Sequence, residues 1–110
     1  MRLLIAVALA LVLAGCNKDA PSEAELGRIA DASDDADIYS NKFRQAAHEI
    51  SGQSGCSAQA MENNAGFWRV PEIEEAPVYF IYCAEPMHSS NRYYLNADSG
   101  KISKVKDSVY

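Results

Sequence analysis

Val78-Tyr79-Phe80-Ile81-Tyr82-Cys83 is the stretch on which the fold turns. It is apolar or aromatic at odd and even positions alike, so a strand here carries hydrophobic surface on both faces and has to be covered on both sides. That is the pattern of a central strand. Toward the C-terminus, Tyr93-Tyr94-Leu95-Asn96 runs through Ala97-Asp98-Ser99-Gly100 into Lys101-Ile102-Ser103-Lys104-Val105. Asp98 and Ser99 suit turn positions and Gly100 a left-handed one, which predicts a β-hairpin. Toward the N-terminus, Phe67 to Val70 reads as another strand, ended by Pro71, with an acidic turn from Glu72 to Ala76.

Upstream of these strands the periodicity changes. Tyr39, Phe43, Ala46, Ala47 and Ile50 recur at helical spacing between Asp37 and Ser51, and Gly52 is a natural stop. Cys56 to Asn63 fits either a short helix or a strand, and a short helix is preferred. The expected architecture is α+β: one amphipathic helix packed on a small, mainly antiparallel sheet of about four strands.

The first residues carry a different message. Met1 and Arg2 precede an uninterrupted run of eleven apolar residues, Leu3 to Leu13. As a helix this run would span roughly 16 Å, about half of a bilayer core, so it reads as a signal peptide over residues 1–15. Leu13-Ala14-Gly15-Cys16 resembles the lipobox of bacterial lipoproteins at every position. The resemblance implies cleavage before Cys16, attachment of lipid to its thiol, and anchoring to a bacterial membrane facing the periplasm. Asn17, where an aspartate would favour inner-membrane retention, points to the outer membrane.

With Cys16 assigned to lipid, Cys56 and Cys83 are left in an oxidising compartment and are expected to pair as one structural disulfide. A redox pair would more often be close in sequence, and a zinc site would need further ligands. Residues 16–36 are polar and acidic, with Asp31, Asp34 and Asp35 close together and Asp37 just beyond. They read as a lipidated, flexible tether, although Ser22 and Glu25 form a capping-box pattern ahead of Leu26 and Ile29. Residues 37–110 then constitute the α+β domain. Without Arg2, nine Lys and Arg face fifteen Asp and Glu, a net charge of about −6. Such a surface is ill-suited to nucleic acid.

Around the last hairpin, Val78 to Cys83 together with Tyr93 to Ile102 resembles a small PepSY-type domain. That resemblance implies an exported inhibitory or protein-contact module without catalytic residues. The two cysteines and the polar stretch Glu85 to Asn91 depart from the pattern.

Catalytic and metal chemistry find little support in the residues themselves. His48 and His88 stand beside no nucleophile motif, Glu85 and His88 alone are too few for a metal, and no phosphate-cradling loop appears. No cofactor and no catalytic residue are therefore expected. Aromatic side chains crowd the strands instead, more than one face of a two-layer domain needs to bury. Trp68, Tyr79 and Tyr94, with Glu85, Met87 and His88 of the polar loop, form the candidate interaction surface. The expected function is a non-enzymatic binding or protein-interaction module of the cell envelope, its partner another envelope protein or a hydrolase. The alternative is an inhibitor or immunity protein that blocks a lytic or toxic enzyme with the Glu85 to Asn91 loop.

Overall fold

The computed structural model describes residues 20–110, so the expected signal peptide over residues 1–15 and the expected lipid attachment at Cys16 lie outside the described residues. Three α-helices precede a four-stranded antiparallel meander: α1 (Glu23–Ala32), α2 (Ala36–Ser51), α3 (Ala58–Asn63), β1 (Trp68–Arg69), β2 (Val78–Tyr82), β3 (Arg92–Asn96) and β4 (Ile102–Ser103). The α+β class and the central position of the aromatic strand agree with expectation. β2 pairs with β1 on one side and with β3 along its whole length on the other. Among the described residues no helix is long and apolar enough to cross a membrane.

The flexible tether expected over residues 16–36 is corrected from Glu23 onward. Ser22 Oγ accepts from the Glu25 amide and the Glu25 carboxylate accepts from the Ser22 amide, so the capping box starts α1. Leu26, Ile29 and Ala30 then lie on one helical face, buried in the main core. Three apolar groups suffice because α2 and α3 already present a surface for them. Arg28 adds an ion pair to Glu62 of α3 at 2.8 Å. Among the described residues the core is thus covered by three helices: the expected amphipathic α2, the short α3 preferred for Cys56 to Asn63, and α1 in place of the tether.

Alternation along the strands divides the sheet into two faces. Tyr79, Ile81, Cys83 and Leu95 face the helices with Phe67 and the α2 stripe Phe43, Ala46, Ala47 and Ile50. Phe43 stacks on Phe67 with ring centroids 4.8 Å apart and meets Tyr79 edge-on at 5.0 Å. The opposite face has a smaller cluster, Val70, Ile73, Val78 and Val109, flanked by half-buried Phe80 and Tyr94. The C-terminal tail is drawn onto it when Asn96 Nδ2 donates to the Val109 carbonyl at 2.9 Å.

The acidic corner between α1 and α2 seals one edge of the sheet. The Phe67 amide donates to Ser33 Oγ, the Asp34 amide donates to the Phe67 carbonyl, and the Arg69 amide donates to Asp34 Oδ2, all at 2.8–2.9 Å. These bonds occupy main-chain groups that an edge strand would otherwise present to solvent. Asp35, with φ of 57°, turns the chain into α2 and accepts from the Tyr79 hydroxyl at 2.7 Å. Gly66 makes the close approach possible: its φ is +64°, and a Cβ there would collide with the Ile29 carbonyl and Ser33 Oγ.

Cys56 and Cys83 are joined, Cα to Cα at 4.8 Å, tying the α2–α3 connection to the end of β2. The Ser57 amide donates to the Cys83 carbonyl beside the bridge. Both flanking strands are shorter than the sequence suggests. Phe67 turns its main chain to the α1–α2 corner, and at the other edge the Val105 amide takes Ser103 Oγ before a 3-10 turn over Lys106–Ser108.

Candidate functional site: an aromatic–arginine ladder on the open sheet face

Strand register places Trp68 opposite Phe80, Phe80 opposite Tyr94, and Tyr82 opposite Arg92. All five side chains stand on the face away from the helices. Trp68 and Phe80 lie nearly parallel, 4° between ring planes and 6.2 Å between centroids. Arg92 covers Phe80 with its guanidinium carbon 4.2 Å from the ring centroid, and lies 5.1 Å from that of Tyr82. Tyr82 and Tyr94 meet Phe80 edge-on and tilted. The result is a ladder of indole, phenyl ring and guanidinium across three strands.

Hydrogen bonds orient its two ends. Trp68 Nε1 donates to the Asn64 carbonyl at 3.0 Å, which leaves the indole 37% exposed. Arg92 Nη2 donates to the Tyr82 hydroxyl at 2.7 Å. The Tyr94 and Tyr82 hydroxyls raise the guanidinium pKa above its ordinary value, against the opposing effect of burial. Arg92 Nε is buried without a hydrogen-bond partner among the described residues, so packing on the rings is its compensation. Such a surface offers rigid apolar area, a fixed cation and phenolic hydroxyls, a combination suited to protein contact.

Depth is lacking for a small-molecule site on this face. The recess among Val70, Pro71, Glu72, Phe80, Arg92, Tyr94 and Lys106 has a volume of about 80 Å³, below the few hundred that ligand pockets occupy. A larger cleft of about 770 Å³ lies across the molecule between Pro21, Glu25, His48, Ser51, Cys56 and Ser57. Ser51, one of its lining side chains, donates its hydroxyl to the His48 main-chain carbonyl at 2.7 Å. Among the described residues no three His, Cys, Asp or Glu side chains converge as a metal site.

The six residues of the expected surface separate into three groups. Trp68 and Tyr94 belong to the ladder, joined through Phe80. Tyr79 is corrected: it is fully buried on the helix face, where its hydroxyl serves Asp35 and lies 3.5 Å from Arg69. Burial, and next the Asp35 carboxylate, push its pKa up, well beyond the ordinary tyrosine value. Glu85, Met87 and His88 sit on the loop after β2. Asn64 links that loop to the ladder, donating to Glu85 Oε2 at 3.3 Å while its carbonyl holds Trp68. Met87 is 52% exposed, and His88 Nδ1 accepts from the Ser90 amide.

Arg92, Phe80 and Tyr82 were missed as site residues. Parity was the available signal, since Arg92 is two residues from Tyr94 in one strand and therefore shares its face. Comparison with protein-family models, curated proteins and solved structures finds no match to this chain, and the reading of the surface rests on its own geometry.

Proposed function

We propose that this chain is a lipid-anchored bacterial envelope protein that acts as a non-enzymatic interaction module, binding another protein through the open sheet face. The observation that carries the reading is the Trp68–Phe80–Arg92 ladder, ordered by stacking and hydrogen bonds yet incompletely covered by its own chain. Preordered aromatic and arginine side chains bind with little further loss of rotamer freedom, which is why they dominate interface energetics. The lipid on Cys16 would hold this face toward the periplasm, most suitably from the outer membrane.

Two tests separate the anchor from the surface. Cys16→Ser should release the protein from the membrane fraction; unchanged fractionation refutes the anchor. A photoreactive side chain at position 68 should crosslink one envelope protein in cells, and Arg92→Ala should abolish that product. Equal capture from position 31 on α1 would rule out the sheet face as the contact.

A second reading has its own observation. The loop after β2 is braced by the Asn64–Glu85, His88–Ser90 and Asn91–Pro86 hydrogen bonds, and it displays Met87. A braced loop with an apolar tip suits insertion into the cleft of a hydrolase. Inhibition of a lytic enzyme that is lost with Met87→Asp and retained with Trp68→Ala would favour an inhibitor or immunity protein.

A further inference from the structure

The two edges of the sheet are treated differently. At β1 the outward N–H and C=O of Phe67 and the outward N–H of Arg69 are taken by Ser33 and Asp34. At β4 the Asn96 amide donates to the Lys101 carbonyl, so 96 and 101 form a hydrogen-bonded pair. Alternation in an antiparallel ladder then makes 95 and 102 a non-bonded pair, which turns the Ile102 N–H and C=O away from β3. These groups form an open edge.

Charge around that edge runs against the rest of the protein. Between residues 20 and 66, eight acids stand against three bases, yet Lys101-Ile102-Ser103-Lys104-Val105-Lys106 holds three lysines and no acid. Lys101 and Lys104 are exposed and flank Ile102, and Val105 is 60% exposed beside them. Lys104 Nζ donates to the Ser90 carbonyl at 3.2 Å, leaving donors for another partner. Lys106 sits 3.5 Å from Glu72.

We propose that the β4 edge accepts an extended acidic segment of a partner protein as a fifth strand, bonded through its backbone to Ile102 and through its carboxylates to Lys101 and Lys104. A second copy of this chain is a poorer occupant, because pairing two β4 edges sets these lysines against their own equivalents. Edge lysines that oppose self-pairing select an acidic strand by the same electrostatics. This surface is separate from the ladder, so either assignment can fail without the other.

The test uses the ¹⁵N-labelled full-length chain and a synthetic peptide of about ten residues alternating glutamate with valine, against its lysine–valine counterpart. The acidic peptide should shift the amide resonances of residues 101 to 105, slow hydrogen exchange at Ile102, and bind more weakly at high salt. Lys101→Glu with Lys104→Glu should weaken it by roughly tenfold or more, both positions being exposed. Ile102→Pro, which deletes the outward donor, should weaken it independently. No saturable binding, equal binding of both peptides, or shifts centred on Trp68 and Phe80 would overturn the proposal. Protection of Ile102 that grows with protein concentration alone would overturn it in favour of a second copy. Equal displacement of the peptide by phosphatidylglycerol vesicles would overturn it in favour of a membrane surface.

Discussion

Two isoleucines nine positions apart separate a folded α1 from a flexible tether. Ile29 is fully buried where α1 meets the core, whereas Ile38, in the first turn of α2, is 65% exposed. Ile29→Ala removes three carbon groups from a closed site, a transfer loss of about 2.4 kcal/mol at about 0.8 per group. The Ile29 carbonyl is fixed by Ser33 Oγ and the close approach of Gly66, which limits collapse of the helix into the space. A residual cavity of some tens of cubic ångström adds about 1 kcal/mol, for a total of about 3–4 kcal/mol. Ile38→Ala should lie within about 0.5 kcal/mol of the parent. Urea unfolding followed by far-ultraviolet circular dichroism reads both, and with a slope near 1.5 kcal/mol per molar the Ile29 variant loses about 2 M in midpoint. A loss below about 0.5 kcal/mol at Ile29, equal to that at Ile38, would mean that α1 lies outside the cooperative unit and that residues 16–36 are a tether after all.

Gly66→Ala should destabilise by more than about 1 kcal/mol, the usual left-handed penalty plus the collision with the α1 carboxyl end, and a thermal melt within a degree of the parent would contradict the packing. Replacing Cys56 and Cys83 by serine reopens a loop spanning a separation of 27 residues, with a loss of about 3.5 kcal/mol on chain-entropy grounds, to be read from the urea midpoint. Tyr79→Phe tests the buried phenol through pH. The folded-state pKa is raised, so the unfolded chain loses its proton first, and stability is fully present below about pH 10 and falls above it. One such group contributes a slope of about 1.4 kcal/mol per pH unit, which should be absent from the phenylalanine variant between about pH 10 and 11.5. Identical alkaline slopes would remove Tyr79 from the account.

The central strand was legible because its sequence leaves one physical option. An apolar run on both parities cannot face water on either side, and Val78 to Tyr82 accordingly has helices beneath it and a tail with aromatic neighbours above. The α2 stripe was equally readable from its spacing. α1 is hidden from local composition: its capping box is visible in the sequence, but the few apolar residues of that segment alone do not hold a helix. Tertiary packing supplies what local composition lacks, and α2 and α3 provide the surface on which Leu26, Ile29 and Ala30 close.

The acidic residues show the same limit from the other side. Asp34 and Asp35 look like solvated charge when counted in sequence, but each carboxylate meets a donor from the sheet: the Arg69 amide for one, the Tyr79 hydroxyl for the other. Those pairings span 35 and 44 residues, so no local pattern contains them. Tyr79 and Arg92 exchanged roles for a related reason. Parity assigns them to opposite faces, but which face is covered depends on where the helices pack. Once α2 sets Phe43 against Tyr79, the odd residues of β2 become core, and Phe80 and Tyr82 are left on the other face. The loose end of the aromatic crowd is then the ladder, and Arg92 enters it through register with Tyr82, not through any motif.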